Sequence, residues 1–459
     1  MSKYITNWEP ENKDFWQKQG KKIATRNLWI SVPALLLAFV VWSLWSVVVI
    51  YLPKLGFKYD ANQLMLLTAL PALSGATLRI FYAFMVPIFG GRKWTFFSTA
   101  TLLIPLVWFG ISVQNPDTSF TTMAIIALLC GFGGGNFSSS MANIGYFFPK
   151  SEKGYATGVN AGLGNIGVSV LQFAAPLVIG MGIFGAFGGD AKAIVQNGHD
   201  TSIWIQNIGF VWVPLIVLVL FFIFFGMNDL ASAKASFSDQ SVIFGRKDNW
   251  ILCWLYLGMF GSFIGYSAVF PMLVKHEFAN IDPLKYAFLG PLLGSIFRVV
   301  GGMISDKIRA TIVTQIAFVG VVVCTLAVLY FLPDHGQDGN FMGFFISFMF
   351  VFVFVGLGNG SVFAQTPVVF GIFHRKLAAL TNQNTEESAK NAIKETGAVL
   401  GFMGAIGAYG GFIIPKLCGT TVAYTGSFYL AFCCFIAYYC TCLLVNWWFY
   451  LRKSAASAC

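Results

Sequence analysis

GYATGVNAGLGNIG (residues 154–167) and GAVLGFMGAIGAYG (397–410) carry one spacing of glycines. Gly154, Gly158, Gly164 and Gly167 recur at a constant offset of 243 as Gly397, Gly401, Gly407 and Gly410, while Gly162 becomes Ala405, still small. A shorter match lies beside it at an offset of 225, where Gly131-Phe132-Gly133-Gly134-Gly135 aligns with Gly356-Leu357-Gly358-Asn359-Gly360. All four stretches fall inside apolar segments. Glycines four apart share one helix face and let backbones approach closely, which is how helices associate where lipid offers no hydrophobic contrast. The chain therefore reads as two related halves made of membrane helices. Gly158, Gly164, Gly167, Gly401, Gly407 and Gly410 have two open readings: tight packing alone, or smooth faces along which one half slides or rocks around a central site.

The rest of the chain agrees. Of its 459 residues 57% are hydrophobic and 10% charged, against roughly a quarter charged in soluble domains. The mean hydropathy of +0.71 has no single source, because segments of the about 20 residues needed to span a bilayer recur along almost the whole length. Twelve spans are expected near 28–53, 63–90, 93–113, 119–148, 153–184, 203–226, 250–275, 284–305, 310–332, 340–373, 391–418 and 425–451. Helices, not a barrel, fit these lengths. The fold class is thus an all-α integral membrane protein with two pseudo-symmetric six-helix bundles, 28–226 and 250–453, joined by a polar linker at 227–249 that carries Asp229, Lys234, Asp239, Arg246, Lys247 and Asp248. Residues 1–27 and 454–459 are expected as terminal segments on one side.

The first 27 residues hold nine charged side chains, and the apolar run after them is too long for a signal-peptide core, so no cleavage is expected. Sorting the 29 Lys+Arg by connection places 21 on the side of the termini, six on the other and two inside spans. The positive-inside rule then puts both termini in the cytoplasm. The net charge of +10 is spread over those connections instead of forming one aromatic-interleaved patch, so nucleic acid is not an expected partner. The nine cysteines lie in or beside apolar segments without a nearby histidine and read as reduced thiols, not metal ligands or disulfides.

Charge inside the membrane is the most informative feature. All 19 acidic residues fall in termini, connections or span ends, and His199, His276, His335 and His374 lie outside the spans; only Arg79 and Arg298 remain within them, at related positions of the repeat. An arginine at the bilayer centre costs about 2.5–3.5 kcal/mol on insertion scales, so each must face the interior and find acceptors. Either the two are structural staples bonded to backbone carbonyls or tyrosines, or they present both guanidinium forks to one ligand, and such forks fit planar oxyanions. The second reading makes a small anion the substrate. With no acid or histidine at mid-membrane depth, anion exchange is favoured over proton symport, since an empty site holding two positive charges would resist closure. No cofactor is implied, and the spans hold no constellation suited to acid–base or nucleophilic catalysis.

Gly302-Met303-Ile304-Ser305-Asp306-Lys307, after Arg298, resembles the loop signature of the major facilitator superfamily; the first half keeps only Gly90-Gly91-Arg92-Lys93, with Pro87 where the aspartate would stand. More specifically, residues 131–137 with Phe147-Phe148-Pro149-Lys150, residues 160–167, and Gly404 to Lys416 resemble the signatures of bacterial nitrate/nitrite porters, most of all their antiporter branch. That resemblance implies nitrate and nitrite as substrates and action as a monomer in the bacterial inner membrane. It also implies that Arg79 and Arg298 grip the anion, that Asn165 and Tyr256 are neutral donors to it, and that Phe137 and Phe260 sandwich it. Through the missing aspartate it implies a cytoplasmic gate less symmetric than the repeat.

Overall fold

Residues 3–196, 199–231, 241–333, 339–381, 384–452 and 455 are described by the computed structural model. Lys234, Asp239, His335, Cys459 and all of the 454–459 tail except Ala455 lie outside them. With no water in the hydrocarbon to satisfy a backbone amide, apolar segments of this length bond internally as helices. Twelve helices long and apolar enough to cross a membrane result: α1 (Lys13–Tyr51), α2 (Ala61–Phe89), α3 (Gly91–Ser112), α4 (Phe120–Phe147), α5 (Ser151–Ile179), α6 (Asn207–Gly226), α7 (Lys247–Glu277), α8 (Pro283–Ser305), α9 (Ala310–Phe331), α10 (Phe341–Thr381), α11 (Thr385–Thr425) and α12 (Tyr429–Leu451).

Packing repeats after six helices. In the first half α1 packs on α5, α2 on α4 and α3 on α6; in the second α7 packs on α11, α8 on α10 and α9 on α12. The halves meet where α2 lies against α11, α5 against α8 and α1 against α7. The shorter glycine match has a direct packing role here. A Cβ on Gly131 would strike Ser74 and the Gly75 backbone of α2, and one on Gly360 would strike the backbone carbonyl of Arg298 and the Gly302 amide of α8. Those glycines let α4 and α10 press onto the helices that carry the two arginines.

Several boundaries differ from the sequence expectation. α1 starts well before residue 28, because Asn12 caps a first turn by accepting from the Asp14 and Phe15 amides, and Trp8, Trp16 and Ile23 then bury against Phe147 and Phe148. α10 and α11 each run 41 residues, about 60 Å at 1.5 Å per residue and twice the hydrocarbon thickness, so both project beyond the bilayer. α6 begins only at Asn207, since His199–Ile203 (β3) pairs antiparallel with Lys192–Gln196 (β2).

On the side of the termini, Tyr4–Ile5 (β1) pairs in parallel with Asp229–Leu230 (β4), so the start of the linker is fixed to the first half. Asp229 then answers the question of the missing aspartate. Its Oδ1 accepts from the Arg92 amide at 2.8 Å and the Lys93 amide at 3.3 Å, and its Oδ2 lies 3.3 Å from Arg92 Nε. A carboxylate at the first turn of α3 suits the positive end of the helix dipole. The acid absent from the first-half loop is supplied from 137 residues further along the chain, so this loop has its carboxylate from outside the repeated pattern.

Candidate functional site

Arg79 and Arg298 are both buried, and they face the same space between the halves. Arg79 Nε donates to the Gly134 carbonyl at 2.9 Å, which requires the close α2–α4 approach made by Gly75 and Gly134. Its Nη1 donates across the interface to the Gly404 carbonyl of α11 at 2.7 Å. Three rings surround its guanidinium, with centroids at 4.5 Å (Phe137), 5.0 Å (Phe260) and 5.0 Å (Trp42). Arg298 Nη2 donates to the Tyr256 hydroxyl at 3.2 Å, and its guanidinium lies 5.2 Å from Phe363, 5.7 Å from Phe260 and 5.9 Å from Phe137. The two shared rings place both guanidinium groups around one aromatic pair.

Several polar groups of the expected site have no hydrogen-bond partner. Arg79 Nη2, Arg298 Nη1 and both ends of the Asn165 amide are buried without a hydrogen bond. Tyr256 accepts from Arg298, so its own proton remains to be given. A buried unsatisfied donor costs about 1–3 kcal/mol, and more when charged. A set that is cationic and donor-rich, with no carboxylate among its contacts, is what an oxyanion would satisfy. Asn165 sits on α5 one turn beyond Gly162, whose Cβ position is 3.3 Å from Val299, the neighbour of Arg298. No hydrogen bond joins Asn165 to the arginines.

Phe137 and Phe260 come together as expected but do not form a slot. Their centroids are 6.2 Å apart at 28°, the spacing of two rings packed on each other, so no flat anion fits between them in this state. Phe137 belongs to α4 and Phe260 to α7, where the π-helical turn Leu257–Gly261 carries it; their gap is therefore set by how the halves tilt. Trp42 and Phe363 were not singled out by sequence reasoning. Trp42 is fixed by donation from Nε1 to the Pro71 carbonyl at 2.8 Å. A faint signal existed for it: Phe39, Trp42 and Ser46 of α1 match Phe260, Phe263 and Ser267 of α7 at an offset of 221. Phe363 had none, being one of 48 phenylalanines.

The glycine faces divide into two classes. A Cβ on Gly164 would meet Leu35, one on Gly167 the Leu36 carbonyl, one on Gly407 Tyr256 at 2.8 Å and Phe260 at 3.2 Å, and one on Gly410 the Gly261 backbone. These four pack on α1 or α7 of their own half. Gly158 and Gly401, like Gly154 and Gly397, meet nothing within 4 Å and look into open space on the side of the termini. The opposite side is shut by bonds between the halves: Gln172 Nε2 to the Ser267 carbonyl at 2.8 Å, Ser169 Oγ to the Phe288 carbonyl at 2.9 Å, and Thr77 with Tyr409 at 2.9 Å. Between them lies a cavity of about 20 Å³ whose lining includes Trp42, Ser46, Thr68 and Ser267, room for one water molecule.

His374 corrects a further expectation. It is buried within the long α10, its Nε2 3.3 Å from Glu395 Oε2 of α11, and Arg246 holds the same carboxylate with bonds of 2.9 and 2.8 Å. Donation to the Glu395 carboxylate raises the Arg246 pKa. This neutralised cluster lies towards the projecting ends of α10 and α11, not at the level of the arginines. Of the eight cysteines among the described residues all are free thiols, although Cys434 and Cys440 are exposed instead of buried.

Comparison with known proteins follows the same line. The Major Facilitator Superfamily profile matches residues 34–378. The nitrate/nitrite transporter NarU of Escherichia coli (strain K12) is 48% identical over 98% of this chain and 97% of its own length. The probable nitrate/nitrite antiporter NarK2 of Thermus thermophilus is 38% identical over 99% and 98%. Among solved structures, a bacterial homolog of the human lysosomal transporter Spinster, in an inward-facing and occupied conformation, has a TM-score of 0.63 over 92% of this chain and 95% of its own at 13% identity, a likeness of fold alone.

Proposed function

The chain belongs to the Major Facilitator Superfamily and, within it, to the nitrate/nitrite porter family, and on that premise we propose that it exchanges nitrate for nitrite across the bacterial inner membrane by alternating access. The observation that carries this reading is the set of buried donors without acceptors: Arg79 Nη2, Arg298 Nη1 and the Asn165 amide. Arg79 and Arg298 grip the anion's oxygens, and Asn165 and Tyr256 orient it as neutral donors. Phe137 and Phe260 part to admit it, since the 6.2 Å between their centroids leaves no room otherwise.

The cross-half bond from Arg79 to Gly404 couples binding to movement. When the halves separate on the shut side, that bond is lost, and a bound anion supplies the acceptor in its place. An empty site would leave two cations facing each other with fewer acceptors, which disfavours the return step and favours exchange over one-way passage. The excess of Lys and Arg on the side of the termini supports a cytoplasmic placement of both ends, and the open face is then the cytoplasmic one. One chain supplies every proposed contact, so a monomer suffices for transport. The test is counterflow in proteoliposomes: internal nitrite should drive nitrate entry without a pH gradient. Uptake into anion-free vesicles that is accelerated by an imposed proton gradient would replace exchange with symport.

A further inference from the structure

Outside the transport path, the membrane-facing surface has a groove of about 280 Å³ between the start of α7 and the end of α12, lined by Lys247, Trp250, Ile251, Trp254, Val445 and Phe449. Both helix ends lie on the side of the termini. From Lys247 to Trp254 the groove follows α7 for about 10 Å, at 1.5 Å per residue, so it runs from the membrane surface into the acyl region. Its depth is apolar and aromatic, and its mouth is cationic. Lys247 Nζ rests 4.5 Å from the Phe449 ring, and the adjacent Asp248 carboxylate accepts from the Tyr450 hydroxyl at 2.9 Å while also interacting electrostatically with Lys247 and Lys376. A second cation, Arg452, stands three residues past Phe449 and outside the groove's lining, stacked on Trp448 at 3.9 Å.

We infer that this groove is a binding site for an anionic phospholipid, with an acyl chain laid along Ile251, Trp254 and Val445 and the phosphate at Lys247 and Arg452. The two parts of the site require one molecule that is both. A free phosphate could meet the cations but has nothing for the apolar wall, and a zwitterionic lipid fills the wall but brings its own cation to the mouth. Basic pockets between membrane helices on the cytoplasmic side suit anionic head groups, and interfacial tryptophans suit the boundary between head group and chain.

Native mass spectrometry of the full chain, titrated with phosphatidylglycerol or with phosphatidylcholine of identical chains, tests the site. Phosphatidylglycerol should be retained preferentially. Lys247→Gln and Arg452→Gln should each reduce that preference about fivefold, and the double variant about 25-fold, at roughly 1 kcal/mol per interfacial cation. Trp254→Ala should weaken retention of both lipids while leaving the preference in place, which separates the wall from the mouth. Monodisperse elution and normal nitrate/nitrite counterflow in the variants would show that the fold is intact. Equal retention of the two lipids by the parent protein, an unchanged preference in the folded double variant, or displacement of the lipid by inorganic phosphate alone would each overturn the assignment.

Discussion

The surroundings of Arg79 and Arg298 differ although the repeat relates them. Arg79 is held by two carbonyls and three rings, and one of those carbonyls, on Gly404, belongs to the other half. Arg298 also faces three rings but has one hydrogen bond, to Tyr256 of its own half. The first arginine is therefore both a ligand for the anion and a tie between the halves, while the second is a ligand on a looser mount. Pseudo-symmetry has fixed the two charges but not their mechanical roles.

The largest effect should come from replacing the planar fork. Lysine keeps the charge but cannot bond two anion oxygens in one plane, so Arg79→Lys should impair counterflow nearly as badly as Arg79→Ala. Losing one charge-assisted bond is worth about 1.5–3 kcal/mol, roughly tenfold to a hundredfold in affinity. Arg298→Lys should lose affinity by a similar factor yet keep a greater share of its maximal rate, because no bond between the halves is removed. Near-normal exchange in both variants would leave only a diffuse positive cavity, and equal losses of rate would erase the proposed difference between them.

Next in size is the effect on closure. Gly158→Leu and Gly401→Leu place bulk where this state has open space, so folding and nitrate binding from that side should persist while exchange falls by about tenfold or more. Normal exchange would mean that these faces never meet. Gly407→Ala should act differently, since its Cβ would press on Tyr256 at 2.8 Å; overpacking of this kind costs about 1–3 kcal/mol. Thermal unfolding and nitrate affinity should both decline, and an unchanged Tm would argue that Tyr256 yields without strain. A further loss is expected from Tyr256→Phe, which removes a bond to an ion, worth about 1.5–3 kcal/mol or roughly tenfold to a hundredfold in Kd, and leaves the buried Arg298 Nη2 without its acceptor, so stability should fall as well. A larger loss would make the phenol, not Arg298, the main grip on that side.

Much of this was legible without coordinates. Twelve apolar segments, the glycine repeat and two lone arginines determined a membrane bundle of two related halves with a cationic centre, because burial of charge in lipid admits few outcomes. Resemblance, and not spacing, singled out Asn165, Tyr256, Phe137 and Phe260. Local pattern did not reveal Asp229 at the start of α3 or the burial of His374 beside Glu395, since each depends on partners far along the chain. Hydropathy also shortened α10 and α11, whose polar ends continue as helix with mostly exposed side chains.

The sequence by itself determined which residues could not face lipid, and hence that Arg79 and Arg298 must point inward. Only the tertiary structure decided that Phe137 and Phe260 touch instead of framing a slot, that Gly164, Gly167, Gly407 and Gly410 pack within their own halves, and that Gly158 and Gly401 look into open space on the side of the termini. Those are properties of one relative tilt of two bundles. The same residues also serve the opposite tilt, so no single arrangement of the halves is written in the order of the chain.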